Sequence, residues 1–234
     1  MDLNHQKSTL KRSGEALLSP VTVKIDVGRY RELYDLGKKR TETATEMGRY
    51  VPTIAGFKSD AHNDARAFVA EVLSFEATAR EFRERYRAAW RARNAATGES
   101  KNESEVLDGD FERKIISPPE SRDGPDAGFD YRVGGVTFDC KFTEHPNGML
   151  LFQNIRKFKA DAAILVTGNP ADELEFNVVG GIMRERWYKE VCTMSLGSKV
   201  GRIAWVVKQE KLTPIPKVAE WLVNQLTRRN HPHT

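Results

Sequence analysis

The apolar positions of this chain change rhythm near its middle. From Ala61 to about Arg93 they follow a helical step: Phe68, Val72, Phe75, Ala79, Phe82, Tyr86 and Trp90 recur every three or four residues. That spacing makes one buried stripe on a long helix. From Phe129 the step drops to two. Phe129-Asp-Tyr-Arg-Val133 and Val136-Thr-Phe-Asp-Cys-Lys-Phe142 alternate apolar and polar residues on either side of Gly134-Gly135. A Gly-Gly pair between two such runs predicts a two-residue β-hairpin turn.

Weaker patterns fill in the rest. Residues 1–20 are polar and read as an arm or short leading element, and residues 28–47 read as a helix carrying Tyr30, Leu33, Leu36 and Met47. Val51–Asp60 holds Pro52 and Gly56 and reads as a loop. Residues 95–127 are rich in Gly, Ser, Asn, Asp and Pro, which predicts a long loop in which only Phe111–Ile116 could form a strand. After the hairpin, Asn147-Gly148 signals a turn before a short strand over Met149–Phe152. Ala162–Thr167 is almost continuously apolar, as expected of a central strand buried on both faces. Further strands are predicted over Glu175–Val179 with Ile182, interrupted at Gly180-Gly181, and over Arg202–Val207. Helices are predicted over Arg184–Val191 and Val218–Leu226.

The hairpin register fixes which side chains share a face. Val133 faces Val136, Arg132 faces Thr137, Tyr131 faces Phe138 and, continuing outward, Asp130 faces Asp139. Because side chains alternate along a strand, Tyr131, Val133, Val136, Phe138, Cys140 and Phe142 form one apolar face. Asp130, Arg132, Thr137, Asp139 and Lys141 form the other. Two carboxylates set opposite each other, with Cβ atoms roughly 5 Å apart, repel unless they share a proton or a cation. A hard divalent cation with oxygen ligands relieves that repulsion. Lys141, two residues beyond Asp139, reaches the same place.

Composition narrows the setting without naming the chemistry. The chain has 234 residues with 39% hydrophobic and 30% charged, enough for one α/β domain with a true core. A formal charge of +4 permits nucleic-acid binding without requiring it. Cys140 and Cys192 form no CxxC pair and no zinc-type cluster, which suggests a reducing, cytoplasmic setting. The polar N-terminus lacks the apolar run of a signal peptide, and no stretch is apolar enough to span a bilayer, so no membrane association is expected.

Asp130, followed across a hairpin by Asp139-Cys140-Lys141, resembles the signature of the PD-(D/E)xK nuclease superfamily, the restriction-endonuclease-like fold. Asp130 matches the first acid, Asp139 the second and Lys141 the lysine. The stretch that follows is similar to phage and prokaryotic members: Gly148-Met149-Leu150-Leu151, then Ala160-Asp161-Ala162-Ala163-Ile164-Leu165-Val166, then Gly181-Ile182, the last without the Trp of the family pattern. The resemblance covers about residues 60–190. It implies an α/β fold with a central mixed β-sheet flanked by helices. It divides the chain into an N-terminal arm and helix (1–59) and a nuclease domain (60–234), which together make one globular unit. It also implies Mg2+, replaceable by Mn2+, held by the two acids and the backbone carbonyl of Cys140, with Lys141 positioning or activating the attacking water.

In that superfamily a further acid often comes from the helix before the hairpin. Glu71, at the edge of the apolar stripe, is favoured here, with Asp64 and Glu76 as alternatives. The implied partner is DNA. Arg156, Lys157 and Lys159 are the favoured phosphate contacts, ahead of the arginines at the end of the long helix (Arg83, Arg85, Arg87, Arg91, Arg93). Gln153 and His145 lie near the site and receive no role. Many members of the superfamily cut as homodimers. The function expected is a magnesium-dependent deoxyribonuclease, an endonuclease by preference. The alternative is a nuclease-fold protein that binds DNA or acts as a scaffold without cutting. A sugar-cleaving carboxylate pair is disfavoured by the adjacent lysine.

Overall fold

The structure, a computed structural model, describes residues 19–46, 61–98, 115–119, 129–152, 158–169, 171–195 and 203–230. Its described elements are strand β1 (Val21–Lys24), helix α1 (Val27–Glu46), helix α2 (Ala61–Thr97), strands β2 (Tyr131–Val133), β3 (Val136–Thr143), β4 (Leu150–Phe152), β5 (Ala162–Asn169) and β6 (Asp172–Met183), helix α3 (Arg184–Glu190), strands β7 (Cys192–Ser195) and β8 (Ile203–Val207), and helix α4 (Ile215–Asn230). A single turn of 3-10 helix, Gln209–Lys211, precedes α4.

The main sheet has five strands in the order β1-β6-β5-β3-β2. It is mixed: β3 and β5 run parallel, and the other neighbours are antiparallel. Its centre is β5, in which every residue from Ala162 to Gly168 is buried. Residues paired in register share a face, so Ala162, Ile164 and Val166 join Phe138 and Cys140 on one side. That side packs on α2 and α4 through Phe68, Val72, Phe82, Val218 and Leu222. On the opposite side, Ala163 and Leu165 meet Leu150, Phe152, Trp187 and Val207. These come from α3 and from a second, three-stranded sheet ordered β4-β8-β7. Trp187 is anchored there by its indole N–H, which donates to the Ile182 carbonyl at 3.1 Å.

The Gly-Gly turn is as expected. Gly134 and Gly135 have φ of +61° and +76°, the pair of left-handed conformations that a type I′ turn requires and glycine adopts at least cost. The register Val133↔Val136, Arg132↔Thr137, Tyr131↔Phe138 follows.

Several elements differ from the sequence pattern. Val21–Lys24, between the arm and the helix read from the sequence, is an unforeseen edge strand on β6, and α1 lies against α2. β4 does not lie next to β3; it pairs with β8 in the second sheet. Gly180-Gly181 does not end β6, which runs through both. A Cβ on Gly180 would sit 2.6 Å from the Thr213 carbonyl oxygen, and one on Gly181 2.6 Å from Ile164 Cδ1. These glycines therefore serve close approach and not a break. The strand expected within Phe111–Ile116 lies largely outside the described residues. Just after it, Ser117 forms a bridge to Arg132.

Candidate active site

The polar face of β3 alternates as its sequence dictates, with Phe138 and Cys140 buried and Asp139 and Lys141 between them partly exposed. The Lys141 ammonium lies 2.6 Å from one Asp139 carboxylate oxygen and 2.9 Å from the other. In register, Asp139 and Lys141 lie beside Ala163 and Leu165 of β5. The pair therefore projects from the side of the main sheet that carries the second sheet, next to the apolar cluster around Trp187.

Asp130 departs from the simple ladder. Regular pairing stops at Tyr131↔Phe138, and the Asp130 amide donates to the Phe138 carbonyl at 2.6 Å. The chain turns there, so Asp130 is not the direct cross-strand partner of Asp139. Its carboxylate instead accepts the Cys140 amide N–H at 2.6 Å, taking the place that the next residue of a longer β2 would fill. In an extended strand a residue's N–H and C=O leave on the same side, so the Cys140 carbonyl also points to this edge, beside the Asp130 carboxylate.

Glu71 approaches from α2, on the helix-covered side. Its carboxylate pairs with Arg40 of α1 at 2.9 Å and is only 16% exposed, and the Arg40 guanidinium lies 5.4 Å from the Phe68 ring centre. Glu76 is different: it is half exposed and lies 3.6 Å from Arg29. Asp64 sits in the first turn of α2. Of the three helix acids, Glu71 is the one whose charge bears on Asp130.

The electrostatics tie these groups together. Burial, then the charge of Glu71, then that of Asp139 push the Asp130 carboxyl well above the usual carboxylate range, against Lys141 and the Cys140 amide. Burial pulls the Lys141 ammonium down, but Asp139 and Asp130 more than offset it, so its proton affinity ends above normal. Burial and the same carboxylates push the Cys140 thiol far up, which leaves it protonated and unreactive. Glu71 and Asp139 each hold a cation of their own, while Asp130 has the Cys140 amide and a share of the Lys141 charge, which do not fully offset burial and its two acidic neighbours. A donor set of carboxylates and one backbone carbonyl is the kind that hard divalent cations favour, although no group of three or more His, Cys, Asp or Glu among the described residues is gathered closely enough to enclose one.

The remaining site residues divide. Lys159 is exposed on a segment clamped by Arg184, whose guanidinium donates to the backbone carbonyls of Ala160 at 2.6 Å, of Lys159 and of Phe158. Arg156, Lys157 and Gln153 lie outside the described residues. His145 is exposed.

Three supports escaped the sequence. Arg66, only 6% exposed, pairs with Glu144 and lies 5.4 Å from the Phe142 ring centre, holding the far end of β3. Asp161 accepts the Thr137 amide at 3.0 Å and hydroxyl at 2.7 Å, stitching the start of β3 to β5. Gln209 donates to the carbonyls of Pro146 and Gly148, each at 2.8 Å, fixing the loop after β3. Only the Ala-Asp pair before β5 hinted at any of them; the contacts span from 24 to 78 residues, beyond any local pattern.

No helix among the described residues is long and apolar enough to cross a membrane. Comparison of the chain with family models, with curated proteins and with solved structures finds no match.

Proposed function

We propose that this protein is a divalent-cation-dependent deoxyribonuclease that hydrolyses phosphodiester bonds at the edge of β3. One observation carries the reading: the half-buried Asp130 carboxylate sits on the Cys140 amide at the end of β2, and Glu71 and Asp139 both oppose its ionisation. Each outer acid has its own cation, Arg40 or Lys141. The Cys140 amide and the Lys141 charge offset only part of the opposition at Asp130, and a proton or a further cation would relieve the rest.

Mg2+, or Mn2+ in its place, suits that position. Asp130, Asp139, the Cys140 carbonyl and Glu71 would hold it, drawn closer together than the described side chains stand without an ion. When bound, such an ion offsets charge on the phosphate oxygens and acidifies water. Asp139 and Asp130 raise the proton affinity of Lys141. Its role would be that of a positive charge that orients water and balances charge developing on the phosphate. Asp139, hydrogen-bonded to Lys141, holds the ammonium in place. DNA would lie across the polar face of β3, with Lys159 and the neighbouring Arg156 and Lys157 meeting its backbone. Cleavage of both strands would require a second copy of the chain, as in a homodimer.

The alternative, a nuclease-like fold that binds DNA or serves as a scaffold without cutting, draws on the same ion pairs. Glu71–Arg40 and Asp139–Lys141 satisfy the outer acids much as a purely structural network would. A cleavage assay separates the two. Wild type and Lys141→Ala are compared with Mg2+, Mn2+ or EDTA on linear duplex, supercoiled, single-stranded and branched DNA and on RNA. Metal-dependent cutting of DNA that disappears in the variant supports the nuclease. DNA binding without cutting in any metal moves the assignment to the scaffold.

A further inference from the structure

We propose that Arg132 grips the DNA phosphate next to the one that is cut, a role that rests on the nuclease reading above. Arg132 lies opposite Thr137 in the hairpin register, so it projects from the same face as Asp139 and Lys141. Diagonal neighbours across an antiparallel pair are about 7–8 Å apart, which sets Arg132 one such step from Asp139. An extended arginine covers a distance of that order, comparable to the spacing of successive phosphates along a nucleic-acid strand.

The side chain is held ready on its backbone, and its head group has no ion pair or hydrogen bond among the described residues. Its strand is fixed from the outer side by two hydrogen bonds with Ser117, Arg132 N–H to the Ser117 carbonyl and the reverse, both 2.9 Å. The guanidinium stands 5.5 Å from the Phe129 ring centre, a contact that orients its plane without using its N–H donors. Its Nε is enclosed, yet it has no hydrogen bond among the described residues. Arg66 and Arg85 share the unbonded Nε, but each faces a carboxylate, Glu144 or Glu81; Arg29 pairs with Glu32 and Arg186 with Glu190, while Arg184 is spent on backbone carbonyls. An enclosed cationic donor with nothing to bond is costly. A planar guanidinium on a rigid strand beside a phosphodiester-cleaving centre matches a phosphate oxygen pair. The acidic centre repels DNA, and a nearby arginine on the same face compensates that repulsion in the substrate complex.

The test compares wild type, Arg132→Gln and Arg132→Lys. Cleavage of a labelled duplex gives kcat and KM in Mg2+; equilibrium binding of the same duplex in EDTA, at salt concentrations from about 50 to 200 mM, gives the salt slope. The expected result for Arg132→Gln is a KM raised about tenfold with kcat little changed, and a slope of log affinity against log salt shallower by about one phosphate contact. Arg132→Lys should restore the slope but only part of the KM, because an ammonium supplies charge without the fork. An unchanged KM and slope in Arg132→Gln, with or without a lowered melting temperature, would overturn the inference while leaving the nuclease assignment standing. A wild-type protein that neither cuts nor binds nucleic acid would overturn the nuclease reading itself, and Arg132's role with it.

Discussion

β3 and β5 run side by side in the same direction, and each is eight residues long, yet they are opposites in chemistry. Helices cover one side of β5, and the second sheet and α3 cover the other, so it is apolar along nearly its whole length. β3 shares the helix-covered side through Phe138 and Cys140, but its other side carries Thr137, Asp139 and Lys141. The difference teaches where charge can be placed in this sheet. One strand in from the border of the second cover, a carboxylate would have no solvent and no partner; at the border it has a lysine, a neighbouring backbone edge and partial exposure.

The contrast breaks most visibly if charge is moved across the border. Leu165→Asp puts an unpaired carboxylate into the wholly buried cluster around Trp187. We expect a loss of more than about 5 kcal/mol, close to the whole stability of a typical domain, read as the absence of a cooperative melting transition. Next in size, Lys141→Ala or Asp139→Asn, on the half-exposed side of β3, should leave the melting curve nearly unchanged. Cleavage should fall by about a hundredfold or more, as when a transition-state charge partner is lost. Cleavage at the wild-type rate in either purified variant would show that the polar face of β3 is not the catalytic one.

The hairpin and β5 were legible in the sequence because both signals are local. A Gly-Gly turn sets register by itself, and a strand buried on both sides must be apolar at every position. The site was legible as far as Asp139 and Lys141, which share a strand. Asp130's placement was not: continuing the ladder by one residue gave a direct facing pair, whereas the chain turns after Tyr131 and spends the carboxylate on the Cys140 amide. Spacing along the helix favoured Glu71 over Asp64 and Glu76 only through its place at the edge of the apolar stripe, and how α2 crosses the sheet is not written in that pattern. β1 was hidden because four residues are too few to show a period, and the place of β4 because its partner β8 lies a long stretch of chain away.

A smaller effect sharpens the comparison at Asp130. Millimolar Mg2+ should raise the melting temperature, since an ion that binds only the folded chain stabilises it, by about 2.7 kcal/mol at a hundred times its dissociation constant. Asp130→Asn should abolish most of that gain, and an identical rise in the variant would place the ion elsewhere. The smallest effect is one of pH. Asp130 binds its proton more tightly in the folded chain than in the unfolded one, so the stability conferred by protonation is complete below about pH 4. It is lost as pH rises through the raised value. In EDTA, wild type should therefore lose stability with rising pH relative to Asp130→Asn, which lacks the titrating group. A melting-temperature gap between the two that does not grow between pH 4 and 8 would show that the carboxylate is not under strain.

The early end of β2 has one more consequence. β3 continues to Thr143 while its partner stops opposite Phe138, so among the described residues no strand pairs with that flank of β3 beyond Phe138. Such a flank is a template on which another chain can add a strand, the first step toward aggregation. Asp130 occupies the first open amide there, and Asp139, Lys141 and Glu144 crowd the positions beyond it with charge. The residues that would do the chemistry would then also act as gatekeepers, keeping this border of the sheet from sticking to its own kind.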